Sequence, residues 1–151
     1  MPTLQHPFPD FGQWLTYSEA IRSNTARRRG IANIPTATQY TAMMAVYTNI
    51  YLPLCLKFGK LPVSSFFRIR KLNTAVGGSK TSQHMDGEAI DIDCDSLVGE
   101  PTNRQLYNYI LKHLEFDQLG LEYPDEKGNP GWVHVSFVST RPNRKNLFIA
   151  T

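Results

Sequence analysis

Ser82-Gln83-His84-Met85-Asp86-Gly87-Glu88-Ala89-Ile90-Asp91-Ile92-Asp93 is the stretch whose reading decides how this 151-residue chain folds. Ala89 to Asp93 alternates apolar and polar side chains, as a half-buried strand does, which puts Ile90 and Ile92 on one face and Asp91 and Asp93 on the other. Gly87 supplies a backbone turn that lets His84 and Asp91 converge. Far along the chain, Trp132-Val133-His134-Val135-Ser136-Phe137 reads as a second strand, with Trp132, His134 and Ser136 on one face and Val133, Val135 and Phe137 on the other. His84, Asp91 and His134 form a donor set of two imidazoles and one carboxylate that suits Zn²⁺ and leaves a fourth position open for water, the arrangement of a catalytic metal site. On these residues alone a plainer alternative stays open, in which His84 caps a turn and His134 is a hydrogen-bonded sheet histidine.

The surroundings of this stretch predict an α+β domain with helices flanking a small antiparallel sheet. Thr16 and Glu19 have capping-box spacing for a short helix. Apolar residues from Thr38 to Phe58 recur at helical spacing, with Pro53 expected to kink that helix. Leu61 to Ile69 and Phe116 to Tyr123 read as further strands, and Thr102 caps a helix running to about Glu115. Residues 1–14, with Pro2, Pro7, Pro9 and Gly12, read as an extended arm anchored by Phe8, Phe11 and Trp14. One domain spanning 1–151 fits this length.

Sixteen Lys and Arg against thirteen Asp and Glu leave a net charge of +3, too small to imply a nucleic-acid partner. Arg27, Arg28 and Arg29 read as a solvated basic face. The opening MPTLQHPFPDF lacks a basic stretch followed by an apolar run, and no window approaches the ~20 apolar residues of a membrane span. The expectation is therefore a chain made in the cytoplasm without a signal peptide and without membrane insertion. Cys55 and Cys94 show no framework spacing and read as reduced thiols.

Ser82 to Asp91 resembles the SxHxxGxAxD signature of the zinc D-Ala-D-Ala carboxypeptidase group, the M15 metallopeptidases. The Trp132–Ser136 strand is similar to their second metal-binding element. Leu15 to Pro35 is similar to the LTxSExxRSxTAxRxGIxNxP opening of the bacterial and phage branch, and Ser65-Phe66-Phe67-Arg68 with the following loop resembles its SGYR region. The resemblance implies a hedgehog/DD-peptidase-like fold and hydrolysis of peptidoglycan stem peptides, as a D-Ala-D-Ala carboxypeptidase or an endopeptidase; a monomer is the expectation for the chain. The resemblance further implies action at the bacterial cell wall, after release or from a virion. By position, His84, Asp91 and His134 match the zinc ligands and Arg68 the arginine that holds a substrate carboxylate and stabilises developing negative charge. Ser82 and Trp132 are expected at the substrate, Ser82 by orienting the His84 segment and Trp132 by walling the cleft.

One position departs from that pattern. Relatives often carry an acidic residue three positions before the last histidine, where this chain has Gly131. Glu122, at the end of the strand expected beside Trp132–Phe137, is the replacement base favoured here, with Asp86, Glu88 and Asp93 in reserve, while Asp125 and Glu126 lie on the intervening loop, either closing over the substrate or staying as solvated turn carboxylates. Two alternatives stay open: a zinc-containing wall-binding or structural module without a competent base, and a metal-free basic adaptor.

Overall fold

The computed structural model describes residues 7–150. His6 and the first part of the expected arm lie outside the described residues. Five strands, β1 (Val63–Ser65), β2 (Ala89–Ile92), β3 (Gln118–Glu122), β4 (Trp132–Ser136) and β5 (Asn146–Ala150), form one sheet in the order β1-β2-β4-β3-β5. The β1/β2, β2/β4 and β4/β3 pairs are antiparallel, whereas β5 lies parallel to β3. The fold is α+β as expected, but its sheet is mixed. Strand β5 comes from residues 138–150, to which the sequence reading assigned no element.

Six α-helices accompany the sheet: α1 (Tyr17–Ile21), α2 (Asn24–Arg29), α3 (Ala37–Val46), α4 (Leu52–Phe58), α5 (Arg70–Ala75) and α6 (Asn103–His113). Thr16, Thr36 and Thr102 each close a capping box, with Glu19, Gln39 and Gln105 respectively. Between α3 and α4 the chain stays helical through one wide π turn, Tyr47–Tyr51, in which the Leu52 N–H reaches back to the Tyr47 carbonyl. Pro53 explains the widening. Its ring and missing N–H cannot be accommodated by the i−4 ladder, and a π turn just ahead relieves the conflict. The helix expected over Thr38–Phe58 is therefore two α segments joined by this turn.

The core lies between one sheet face and the helices. Ile90, Ile92, Leu119, Leu121, Val133 and Val135 pack against Met43, Ile50 and Leu54 from the long helical segment and Leu106 and Ile110 from α6. Phe11 joins the same core and Phe8 stacks on Tyr40 with centroids 4.5 Å apart. Cys55 and Cys94 are both free and buried.

Three local expectations change. Strand β2 is buried on both faces, because its polar face forms the floor of a cleft. Asp93 leaves the strand and does not join Asp91: its carboxylate accepts from the Asp95 N–H at 3.0 Å and from Asn103 Nδ2 at 3.1 Å, shaping the turn towards α6. The strand expected over Leu61–Ile69 ends at Ser65, because the next backbone groups pair elsewhere. Phe67 N–H donates to Ala20, Arg68 N–H to His84, and Ile69 N–H to the Asn33 side chain.

Candidate active site

The outer face of the sheet carries a continuous row of residues across all five strands. Ser65 pairs with Asp91, Asp91 with His134, His134 with Gly120, and Gly120 with Phe148. This register sets the two strand-borne members of the sequence trio side by side. His84 arrives from the short 3₁₀ turn Gln83–Asp86. Ser82 caps that turn, its hydroxyl accepting from the His84 N–H at 3.2 Å. Gly87 ends it at φ 74°, where an added Cβ would lie 2.5 Å from the Gln39 carbonyl oxygen and 2.9 Å from Met43 Cγ of α3. Glycine is needed there for its left-handed backbone and for the close approach to α3.

One potential ligand atom from each of His84, Asp91 and His134 lies within 4.8 Å of the others, and all three residues are buried. His134 Nδ1 stands 2.9 Å from Asp91 Oδ1, and the two imidazoles meet edge to face at 5.2 Å. His84 Nδ1 is 2.6 Å from the Phe66 carbonyl oxygen. A carbonyl only accepts, so in the neutral ring Nδ1 carries the proton and Nε2 presents its lone pair. That Nε2 is buried without a hydrogen-bond partner and stands 3.2 Å from Asp91 Oδ2. Two electron-rich atoms so placed repel unless a proton or a metal ion lies between them. The donor set of two imidazoles and a carboxylate, with one imidazole fixed from behind by a carbonyl, fits a metal ion of the zinc type. Burial alone would raise the Asp91 pKa, but His84 and His134 outweigh it and hold the carboxyl well below the usual range.

The trio forms the floor of a cleft of about 760 Å³, whose walls include Arg68, residues 76–79 and 81–83, Glu122, Trp132 and residues 146–148. Among the residues lining it, Asp91 and Glu122 are the only carboxylates. The reserve bases Asp86, Glu88 and Asp93 and the loop carboxylates Asp125 and Glu126 lie outside that lining, and Asp125 is occupied by the Lys127 and Asn129 N–H groups of its own turn. Residues 124–131 do not line the cleft, so that loop does not close over it in this structure. Glu122 sits opposite Trp132 in the β3/β4 register, and its carbonyl accepts from the Gly131 N–H at 2.8 Å. A Cβ at position 131 would come within 3.2 Å of that same carbonyl oxygen, so the backbone crowds a larger residue there. Burial and the Asp91 charge raise the Glu122 pKa, against opposition from His134 and Arg68.

Arg68 is half-buried in the cleft wall and has no ion-pair partner among the described residues, and its Nε is buried without a hydrogen bond. Burial lowers its pKa, opposed by Asp91 and Glu122. Trp132 is half-buried at the rim against Tyr123, whose backbone is left-handed at φ 48°.

A profile of the Peptidase M15 family matches residues 13–136, more than four fifths of the chain. The chain belongs to the peptidase M15 family. M15 peptidases are metallopeptidases, and this M15 chain carries a His-Asp-His group able to hold a metal ion. No curated protein matches it.

Sequence reasoning missed four residues that support this M15 cleft. Asn33 Nδ2 donates to the Ile21 and Phe67 carbonyls, and its Oδ1 accepts from the Ile69 N–H, all at 2.9 Å, so one carboxamide grips the backbone on both sides of Arg68. Its place in the family opening was visible, but its partners lie 34 and 36 residues further on. Asp117 accepts six hydrogen bonds from Gln83, Arg141 and Arg144. Gly120 and Phe148 meet across β3 and β5. A glycine inside a strand is the signal that announces such a close approach.

Proposed function

We propose that this M15 protein is a zinc-dependent peptidase that trims peptidoglycan stem peptides next to a free carboxylate, acting at the bacterial cell wall. His84, Asp91 and His134 are the residues that would hold the zinc, supported above all by the convergence of their three donor atoms within 4.8 Å and by the buried Nε2 of His84, which makes no hydrogen bond and faces the Asp91 carboxylate. When bound, Zn²⁺ activates water and polarises the scissile carbonyl.

The chain's own groups supply the rest. Arg68 offers an unpaired guanidinium, whose fork of donors suits a terminal carboxylate. That free cation favours carboxypeptidase trimming over cleavage within a long peptide. Glu122 takes the proton from the attacking water and returns it to the departing amine, and its raised pKa suits the second step as well as the first. Trp132 walls the cleft, and Ser82 acts on the site through its bond to the His84 N–H.

The test is hydrolysis of purified peptidoglycan followed by mass analysis, using zinc-loaded protein, chelated protein and a Glu122→Gln variant of checked metal content. Metal-dependent release of a terminal residue, lost in Glu122→Gln, is the expected outcome. Full zinc loading with no product across pH would turn the assignment to a binding module, while failure to bind zinc would remove its foundation.

A further inference from the structure

Strand β5 lies beyond the family match, which ends at residue 136, yet residues 146–148 line the cleft. Its Phe148 is in register with Gly120, which is in register with His134. Gly120 carries no side chain, and a Cβ built there would overlap the Phe148 ring at three atoms. The ring therefore lies across the gap in β3 and meets the His134 imidazole at 5.5 Å, with the planes 63° apart. Asp91 faces His134 from β2. The imidazole is thus bounded by a carboxylate on one side and an aromatic ring on the other.

Strand β5 is also tied in place at its entry. Arg141 and Arg144 each grip the Asp117 carboxylate with two side-chain donors, and Asn146 N–H donates to the Asp117 carbonyl at 2.9 Å. Gln83, beside His84, donates to the same carboxylate at 3.0 Å. The strand that carries Phe148 and the turn that carries His84 share one anchor.

The geometry points to Phe148 as a positioning residue: through the space left by Gly120, its ring fixes the orientation of His134 for metal binding. This inference rests on the reading of His84, Asp91 and His134 as metal ligands. An edge-to-face contact between rings favours one ring orientation over the others. Loss of a hydrogen-bonded group that orients a ligand typically lowers metal affinity about 10–100-fold, and an aromatic contact belongs at the low end of that range.

The experiment measures Zn²⁺ affinity by competition with a chromophoric chelator for the full chain and for Phe148→Ala, Phe148→Leu and Phe148→Tyr, alongside the thermal midpoint of each metal-free protein. Phe148→Ala is expected to weaken zinc binding about tenfold, with Phe148→Tyr restoring it. Phe148→Leu keeps apolar bulk on the strand while removing the ring, and gives the same direction should the alanine variant fold poorly. A lowered midpoint with unchanged zinc affinity would overturn the inference, as would failure of Phe148→Tyr to restore binding. Absence of zinc binding by the unaltered chain would instead defeat the ligand reading. The imidazole resonances of the metal-free protein then decide the contact: Phe148→Ala shifts His134 and leaves His84 in place, and an unmoved His134 sinks it.

Discussion

Asn33 shows how a single buried carboxamide can set the position of a charged group three dozen residues away. Its three hydrogen bonds hold the Ile21, Phe67 and Ile69 backbone groups, so Arg68 is presented to the cleft from a fixed frame. Asn33→Ala leaves one buried and two partly buried groups unpaired at up to ~1–3 kcal/mol each, and with partial relaxation a loss of about 2–4 kcal/mol is expected in urea unfolding. Because Arg68 is the proposed carboxylate anchor, the variant should also raise KM more than it lowers kcat. Destabilisation with KM untouched would separate Asn33 from substrate binding. Glu122→Gln makes the complementary prediction: kcat falls about 10²–10⁴-fold while zinc content stays at the unaltered level. A kcat within a few-fold of the starting protein would exclude Glu122 as the proton carrier.

At the scale of elements, the parts legible in the sequence are those whose signals are local. The capping box at Thr16, the cap at Thr102 and the Ala89–Ile92 alternation each depend on neighbours within a few residues. Asp93 was misplaced because alternation says nothing about the residue at which a strand ends. Its competing partners, Asp95 N–H and Asn103, belong to the following turn and to α6. The strand β5 was unread for a related reason. Its pairing with β3 is parallel and distant, and only Gly120 hinted that a ring would cross there. For the site, His84, Asp91 and His134 could be singled out through the M15 resemblance, with spacing alone leaving a plainer reading open, whereas the groups that hold them in place were not legible. Gly87 joins both levels. Gly87→Ala forces a left-handed residue, at ~1–2 kcal/mol, and drives a Cβ against α3. The expected result is a loss of about 2–4 kcal/mol in stability together with weaker zinc binding, measured by urea unfolding and chelator competition. Zinc affinity lost at full stability would mean that α3 yields to the added methyl.

Across the whole molecule, the cleft is assembled from both ends of the described chain, with Arg68 held by the Asn33 segment and Phe148 delivered by β5. Asp117 closes the structure on the second side. Its side chain is fully buried, whereas Arg141 and Arg144 are 42% and 48% exposed. Their hydrogen bonds, with that of Gln83, outweigh the cost of burial and hold the Asp117 pKa far below the usual carboxylate range. A carboxyl depressed in the folded state contributes stability that is fully present above its unfolded value near 3.9 and is lost as pH falls through the folded one. Asp117→Asn should therefore be destabilised at pH 7 by about 2–3 kcal/mol, less than the ~3–5 seen when a fully buried pair is broken, because water screens both arginines. The gap between the two proteins should narrow as pH is lowered below ~4, where the unaltered carboxylate progressively loses its advantage over the amide. Urea unfolding of both proteins from pH 7 to pH 2 measures that gap directly. A gap that stays constant over this range would show that the charge of Asp117 contributes nothing, and that neutral hydrogen bonds alone tie β5 and the His84 turn together.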